Sequence, residues 1–279
     1  MHSVHKPLGP FRHKLMSTSP NTFYAAPLET WADAIQRLSS EAEQYSLEKV
    51  EHYKALSNME HEFLVIYAGH HDPYRPKIVL GVDRNGRDSA RALSTLVYPQ
   101  SLPKSSSSSS SSSSSEKDLA YDGVQFSHDG CAPILAQQGP SILLYTITFS
   151  PTSPPLTASN SEARLPPSLL HLSVLLLTIR KRFPRYTFLE YQCYFFARAT
   201  CLALMDLFGG VETELEGGRR TATWRGMHVL SLQDIILPLP LVLFCAADTT
   251  PVGQFFACFN AMVCCCIVMR SEADTRRCR

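Results

Sequence analysis

The residues of this chain that could do chemistry are a cysteine, Cys193, and three polar partners far from it in sequence, His61, Asp83 and His128. A thiol becomes a useful nucleophile when its pKa falls and a base stands near it. A third polar side chain then fixes the tautomer of the base. Cys193 lies in "RYTFLEYQCYFFARA", where Thr187 and Glu190 have the T-x-x-E spacing of a capping box. That spacing predicts a helix start about one and a half turns before the cysteine; unpaired N–H groups at a helix start favour a thiolate and could bind an oxyanion, an effect that fades beyond the first turn. His61 opens "HEFLVIYAG" and is the candidate base. Asp83 ends "KIVLGVDRNG" and His128 ends "YDGVQFSH", so either could orient it; His70 and His71 are alternative histidines. The chemistry these types support is acyl transfer through a thioester, on a small-molecule or protein acyl substrate.

Each residue has a plainer role beside this one. Cys193, Ala197, Thr200, Cys201 and Leu204 share one helical face, and free cysteine is among the most buried residue types. His61 at a strand start reads equally as an edge residue, and Asp83 before Asn85-Gly86 as a turn residue. A non-catalytic interaction module with a structural cysteine is therefore the alternative to a thiol hydrolase or acyltransferase.

Elements of regular structure must bring these residues together. "TWADAIQRLSSEAEQYSLEKVEHYKAL" carries Trp31, Ala34, Ile35, Leu38, Ala42 and Tyr45 at helical spacing. It predicts an N-terminal amphipathic helix, capped by Thr30 with Asp33 and broken near Ser46. Four β-rich runs, 61–69, 77–86, 121–130 and 141–149, predict strands, the first two forming a hairpin. Ser168 after two prolines caps "LLHLSVLLLTIRKRF", apolar nearly all round and so buried; its last turn is basic, and Pro184 stops it. The Cys193 helix ends at Gly209-Gly210. The fold class expected is α+β: a small, mostly antiparallel sheet of about four strands packed on the two buried helices near 168–183 and 188–208.

The remaining segments set the boundaries. Residues 1–28 read as a disordered tail and 29–230 as a single domain. Eleven serines, Ser105–Ser115, make 101–118 a flexible low-complexity insert, and 150–167 is a second linker. Residues 231–279 form an apolar, Cys-rich tail. Its two apolar runs within 235–269 are each shorter than the ~20 residues a membrane helix needs; membrane contact there, as through a palmitoylated surface helix, ranks below burial or a misassigned exon.

Two resemblances attach to these motifs. The strand "HEFLVIYAG" and the segment "QCYFF" resemble the base strand, H-x-x-x-Y-x-G, and the nucleophile segment, N-C-x-x-F, of the circularly permuted papain-like fold, the lecithin–retinol acyltransferase-like proteins. Here His61 and Gly69 stand two residues further apart, Gln192 replaces the Asn, and Phe196 matches. Where the family has a second histidine in the following strand, this chain has Asp83. The resemblance implies Cys193 as nucleophile and His61 as base. Over residues 45–228 the chain also resembles a group of hypothetical proteins of mushroom-forming fungi, through "EHEFLVIYA", "VDR", "SHDG", "FPRYTFLEYQCYFFA" and "WRG". That group brings no activity with it.

Composition narrows the rest. A net charge of +1 and no basic helix or RNA-binding signature exclude a nucleic-acid partner as the main reading. Nine cysteines, three of them adjacent, do not form a secreted disulfide framework, and residues 1–20 lack the apolar core of a secretory signal. The expected location is intracellular, in the cytoplasm. "DRNGRD" fails as a calcium loop, since Arg87 occupies a ligand position, and the cysteines lack zinc spacing, so no metal or cofactor is expected.

Overall fold

The computed structural model describes residues 23–56, 60–86, 119–149, 165–185, 193–221, 223–224 and 227–228. The Ser tract, the Thr187–Glu190 capping box, nearly all of the 150–167 linker and the 231–279 tail lie outside them. The elements in chain order are β1 (Phe23–Pro27), α1 (Leu28–Arg37), α2 (Ser39–Ala42), β2 (Tyr45–Ala55), β3 (Glu62–His70), β4 (Ile78–Gly86) and β5 (Ala120–Ser127). There follow α3 (Ala132–Gln138), β6 (Ser141–Thr148), α4 (Leu169–Arg182), α5 (Cys193–Phe208), β7 (Val211–Glu214), a 3₁₀ turn (Glu216–Arg220), and a short pair, β8 (Thr223–Trp224) and β9 (Met227–His228).

The fold is α+β, as the sequence predicts, but the sheet is larger. Among the described residues seven strands lie in the order β1-β5-β4-β3-β2-β6-β7, every neighbouring pair antiparallel. Period-two alternation splits β3 and β4 between two faces. Leu64, Ile66, Ala68, Ile78, Leu80 and Val82 face the main core with α1, α4 and α5, while Phe63, Val65 and Val79 join Ile134 of α3 on the other side.

Three expectations need correction. Residues 45–55 are a strand, not the second half of a helix. A β-bulge between Leu47 and Lys49 breaks the alternation that would mark a strand, and Glu51, His52 and Lys54 are buried with partners instead of lining a solvated helix face. The first helix starts at Leu28 after Pro27 with no side-chain cap, so Thr30 and Asp33 lie within it; Asp33 pairs with Arg37 at 3.0 Å. Residues 23–27, assigned to the loose tail, pair with β5 along the sheet edge. The α4 start is as expected and stronger: Ser168 Oγ accepts from the His171 amide at 3.3 Å, and His171 Nδ1 accepts from the Ser168 amide at 3.1 Å. Among the described residues no helix is long and apolar enough to cross a membrane.

Candidate functional site

The sheet end where β3 begins and β4 ends collects the polar residues. His61 immediately precedes β3, and its carbonyl accepts from the Ala55 amide of β2 at 2.7 Å. Phe63 pairs with Asp83 across β3 and β4, so two residues back along the same face His61 is brought beside that carboxylate. His61 Nε2 lies 3.6 Å from Asp83 Oδ2, and the ring lies nearly parallel to Phe63, 12° between planes and 6.4 Å between centroids. Cys193, the first described residue of α5, is the other group close enough to act electrostatically on the His61 ring, whose Nε2 makes no hydrogen bond of ordinary geometry.

Asp83 is not a turn residue. β4 continues through Gly86, with Asn85 opposite Tyr121 and Gly86 opposite Ala120, because the Asn-Gly pair is drawn into the ladder with β5. The carboxylate is then held from its own face. Asn85, two residues on, donates to Oδ2 at 2.8 Å, and Gln138 at the end of α3 donates to the same oxygen at 3.4 Å. Opposite Asp83 stands Gly123, where a Cβ would come 2.9 Å from Oδ1, so the carboxylate packs against bare backbone.

Electrostatics follow from this geometry. Burial alone disfavours the imidazolium of His61, but the sulfur of Cys193 and the carboxylate of Asp83 outweigh it and push the pKa up to about 10. A histidine charged between a cysteine and a carboxylate is the electrostatic arrangement of a Cys–His pair with an orienting acid. The contact of 3.6 Å to Asp83 is longer than an ordinary hydrogen bond, as catalytic contacts without substrate often are. Cys193 itself is 3% exposed.

The other histidines are elsewhere. His128 follows β5, five residues beyond Gly123 and so roughly 16 Å along the strand from Asp83. Its Nδ1 lies 3.4 Å from the Lys77 carbonyl, and its ring stands edge-on to Phe126. It does not join the site, because the register of β5 on β4 puts it at the opposite end of the sheet. His70 ends β3 far from His61, its ring edge-on to Tyr45, and His71 meets Ser46 Oγ at 3.0 Å. Among the described residues no group of three or more His, Cys, Asp or Glu side chains is disposed to hold a metal ion. Asn85, Gln138 and Gly123 went unrecognised as site residues. Asn85 carried a signal, its spacing of two from Asp83 on a strand; Gln138 carried none, since "APILAQQ" is too short for a helical period to show.

Two buried charge clusters flank the site. On β4, Arg84 points to the helix-facing side and forks onto Asp122 at 2.7 and 2.9 Å; it also donates to the Phe183 carbonyl at 3.0 Å and lies 4.6 Å from the Phe196 ring centroid. On β2, Lys54 faces Glu62 across the ladder. No family model matches this sequence, and no curated protein or solved structure matches it.

Proposed function

We propose that the protein is a thiol-dependent hydrolase or acyltransferase in which Cys193 is the nucleophile, His61 the acid and base, and Asp83 the group that orients His61. The observation that carries this reading is the approach of one largely buried histidine, its side chain 13% exposed, to both Cys193 and Asp83, although the three come from separate parts of the chain. Core packing alone gives no reason for a buried imidazole to meet a thiol on one side and an anchored carboxylate on the other.

The reaction runs in two halves. The Cys193 sulfur attacks the acyl carbon of an ester, thioester or amide, and the carbonyl π pair moves onto oxygen. As that oxyanion collapses, the bond to the leaving group breaks and the leaving group takes the proton from His61, which leaves a thioester on Cys193. Water or an acceptor alcohol or amine then attacks the thioester, His61 accepts its proton, and the sulfur departs as the thiolate beside the recharged imidazolium. Asp83, fixed by Asn85 and Gln138, stabilises the imidazolium at both stages.

A second reading, a non-catalytic interaction module with Cys193 as a structural residue, draws on the burial of that thiol. One experiment separates the two. The full chain is incubated with p-nitrophenyl acetate, quenched in acid and digested, and the Cys193 peptide is examined by mass spectrometry. An acetyl thioester on Cys193 that disappears in His61→Ala supports the enzyme. Acetylation that spares Cys193, or that is indifferent to His61, leaves the structural cysteine.

A further inference from the structure

Behind the Cys193–His61 pair lies a lysine with no exposed surface. Lys54 stands on β2 directly across the ladder from Glu62, and its side chain is 0% exposed. A buried ammonium is costly unless its charge is paired and its protons are placed. Here they are. Nζ lies 3.2 Å from Glu60 Oε2 and 3.6 Å from Glu62 Oε1, the two residues that flank His61 in sequence. It also donates to the Arg220 carbonyl at 3.0 Å, to Thr223 Oγ1 at 3.1 Å and to the Thr223 carbonyl. Its fourth side is the ring of Tyr194, 5.1 Å to the centroid, and Tyr194 is the residue after Cys193. His52 Nε2 lies 2.9 Å from the other oxygen of Glu62, Oε2.

The backbone at this point needs holding. Glu60, the residue before His61, has φ of +47°, in the left-handed region that side-chain-bearing residues seldom occupy. The next amide along from Lys54, that of Ala55, fixes the His61 carbonyl. One ammonium therefore reaches the residue before the base, the residue after it, and the residue after the thiol.

We propose that Lys54 is a positioning residue for the Cys193–His61 pair: its buried ammonium clamps Glu60 and Glu62 on either side of His61 and the Tyr194 ring beside Cys193, and so sets the separation of imidazole and thiol. The inference rests on the reading of Cys193 and His61 as a working pair. It is a role in position, not in direct charge, because the groups that raise the proton affinity of His61 are Cys193 and Asp83, and Lys54 is not among them. The two roles differ in sign. Removing a nearby cation would raise the affinity of His61 for its proton, whereas releasing the clamp separates His61 from Cys193 and lowers it.

The test is an NMR titration of the His61 ring in the labelled full chain, with the Cys193 alkylation rate at pH 7 measured alongside, in wild type, Lys54→Met, Lys54→Arg and Glu60→Gln. Thermal melts establish which variants fold. In wild type the His61 midpoint lies far above the ordinary ~6.5. In Lys54→Met it falls by more than one pH unit, a loss of over tenfold in proton affinity, with the alkylation rate falling in step; Glu60→Gln moves both the same way by less, and Lys54→Arg restores most of both. A folded Lys54→Met that keeps the wild-type midpoint, or shows a higher one, overturns the proposal. Should Lys54→Met fail to fold, Glu60→Gln decides alone, and an unchanged midpoint there overturns it. A wild-type midpoint near ~6.5 overturns the Cys193–His61 pairing itself and this inference with it. A high midpoint without any acetyl thioester overturns acyl transfer and leaves the clamp standing.

Discussion

Two cysteines stand on α5, two turns apart, and the helix treats them differently. Cys201 is 0% exposed, and burial pushes its thiol up to about 12; the nearby Arg198 pulls it down but does not offset the desolvation, and Glu212 and Glu62 add to the rise. Cys193, nearly as buried at 3% exposed, has a charged histidine against it. Burial is thus the same for both, and the partner differs. A buried cysteine whose thiol is held up by desolvation is inert packing, and one that shares its site with an imidazolium has the means to react. The difference comes from position along the helix: Cys201 is set among Arg198, Glu212 and Glu62, whereas Cys193, eight residues earlier, reaches His61 just before strand β3 opens.

The widest separation of the two should appear in their alkylation. With its thiol at about 12, Cys201 carries a thiolate fraction of ~10⁻⁵ at pH 7. Under native conditions iodoacetamide should modify Cys193 at least ~100-fold faster than Cys201, followed peptide by peptide in a mass spectrometer. In His61→Ala the Cys193 rate at pH 7 should drop by ~10-fold or more while Cys201 stays where it was. Equal rates for the two cysteines in wild type would mean that the contact with His61 does not activate the thiol.

How much of this contrast can be read from the residues depends on range. Strands β3, β4, β5 and β6 were readable because their apolar runs are bounded by turn residues, and Cys193 and His61 were readable because a thiol and an imidazole are the types that catalyse acyl transfer. What resisted was set by register. Strand β2 looks helical because a bulge interrupts its alternation and its charges are buried in pairs. Asp83 and Arg84 are neighbours in sequence, yet the pleat sends one to the candidate site and the other into a fork on Asp122 beneath the helices. Nothing local distinguishes them. The exclusion of His128, likewise, follows from which end of β5 lies beside Asp83, a fact of pairing that no single strand contains.

A smaller effect separates the cysteines through stability. The folded chain holds a proton on His61 up to about pH 10, whereas the unfolded chain releases it near ~6.5. Between those values the native state binds more protons, so stability falls as pH rises. The contribution of His61 is complete below pH ~6.5 and is lost by about pH 10. Its size is on the order of a few kcal/mol. Urea midpoints measured from pH 6 to 10 should therefore show a difference between wild type and His61→Ala that shrinks with rising pH. Cys201→Ala should keep the wild-type slope, since Cys201 is not a source of the His61 shift, and Cys193→Ala should flatten it. A slope that survives Cys193→Ala would assign the raised His61 pKa to Asp83 alone.

The smallest effect expected is at Gly123, which touches neither cysteine. A Cβ there would stand 2.9 Å from Asp83 Oδ1, a separation that real Cβ atoms do not show, so the carboxylate must shift by a few tenths of an ångström. Asp83 can yield only so far, because Oδ2 is tied to Asn85 at 2.8 Å and to Gln138 at 3.4 Å. The movement should rotate it away from His61 Nε2, which is already 3.6 Å distant, and weaken the hold on the imidazolium. Gly123→Ala should lower the Cys193 alkylation rate at pH 7 by about threefold with Cys201 unchanged. Adding Asn85→Ala should relieve the clash by freeing the carboxylate to move, so the double variant should lose less than the product of the two single losses. Strict additivity would mean that Gly123 acts on the β4–β5 ladder and not through Asp83, and the carboxylate would then be a bystander to the difference between the two thiols.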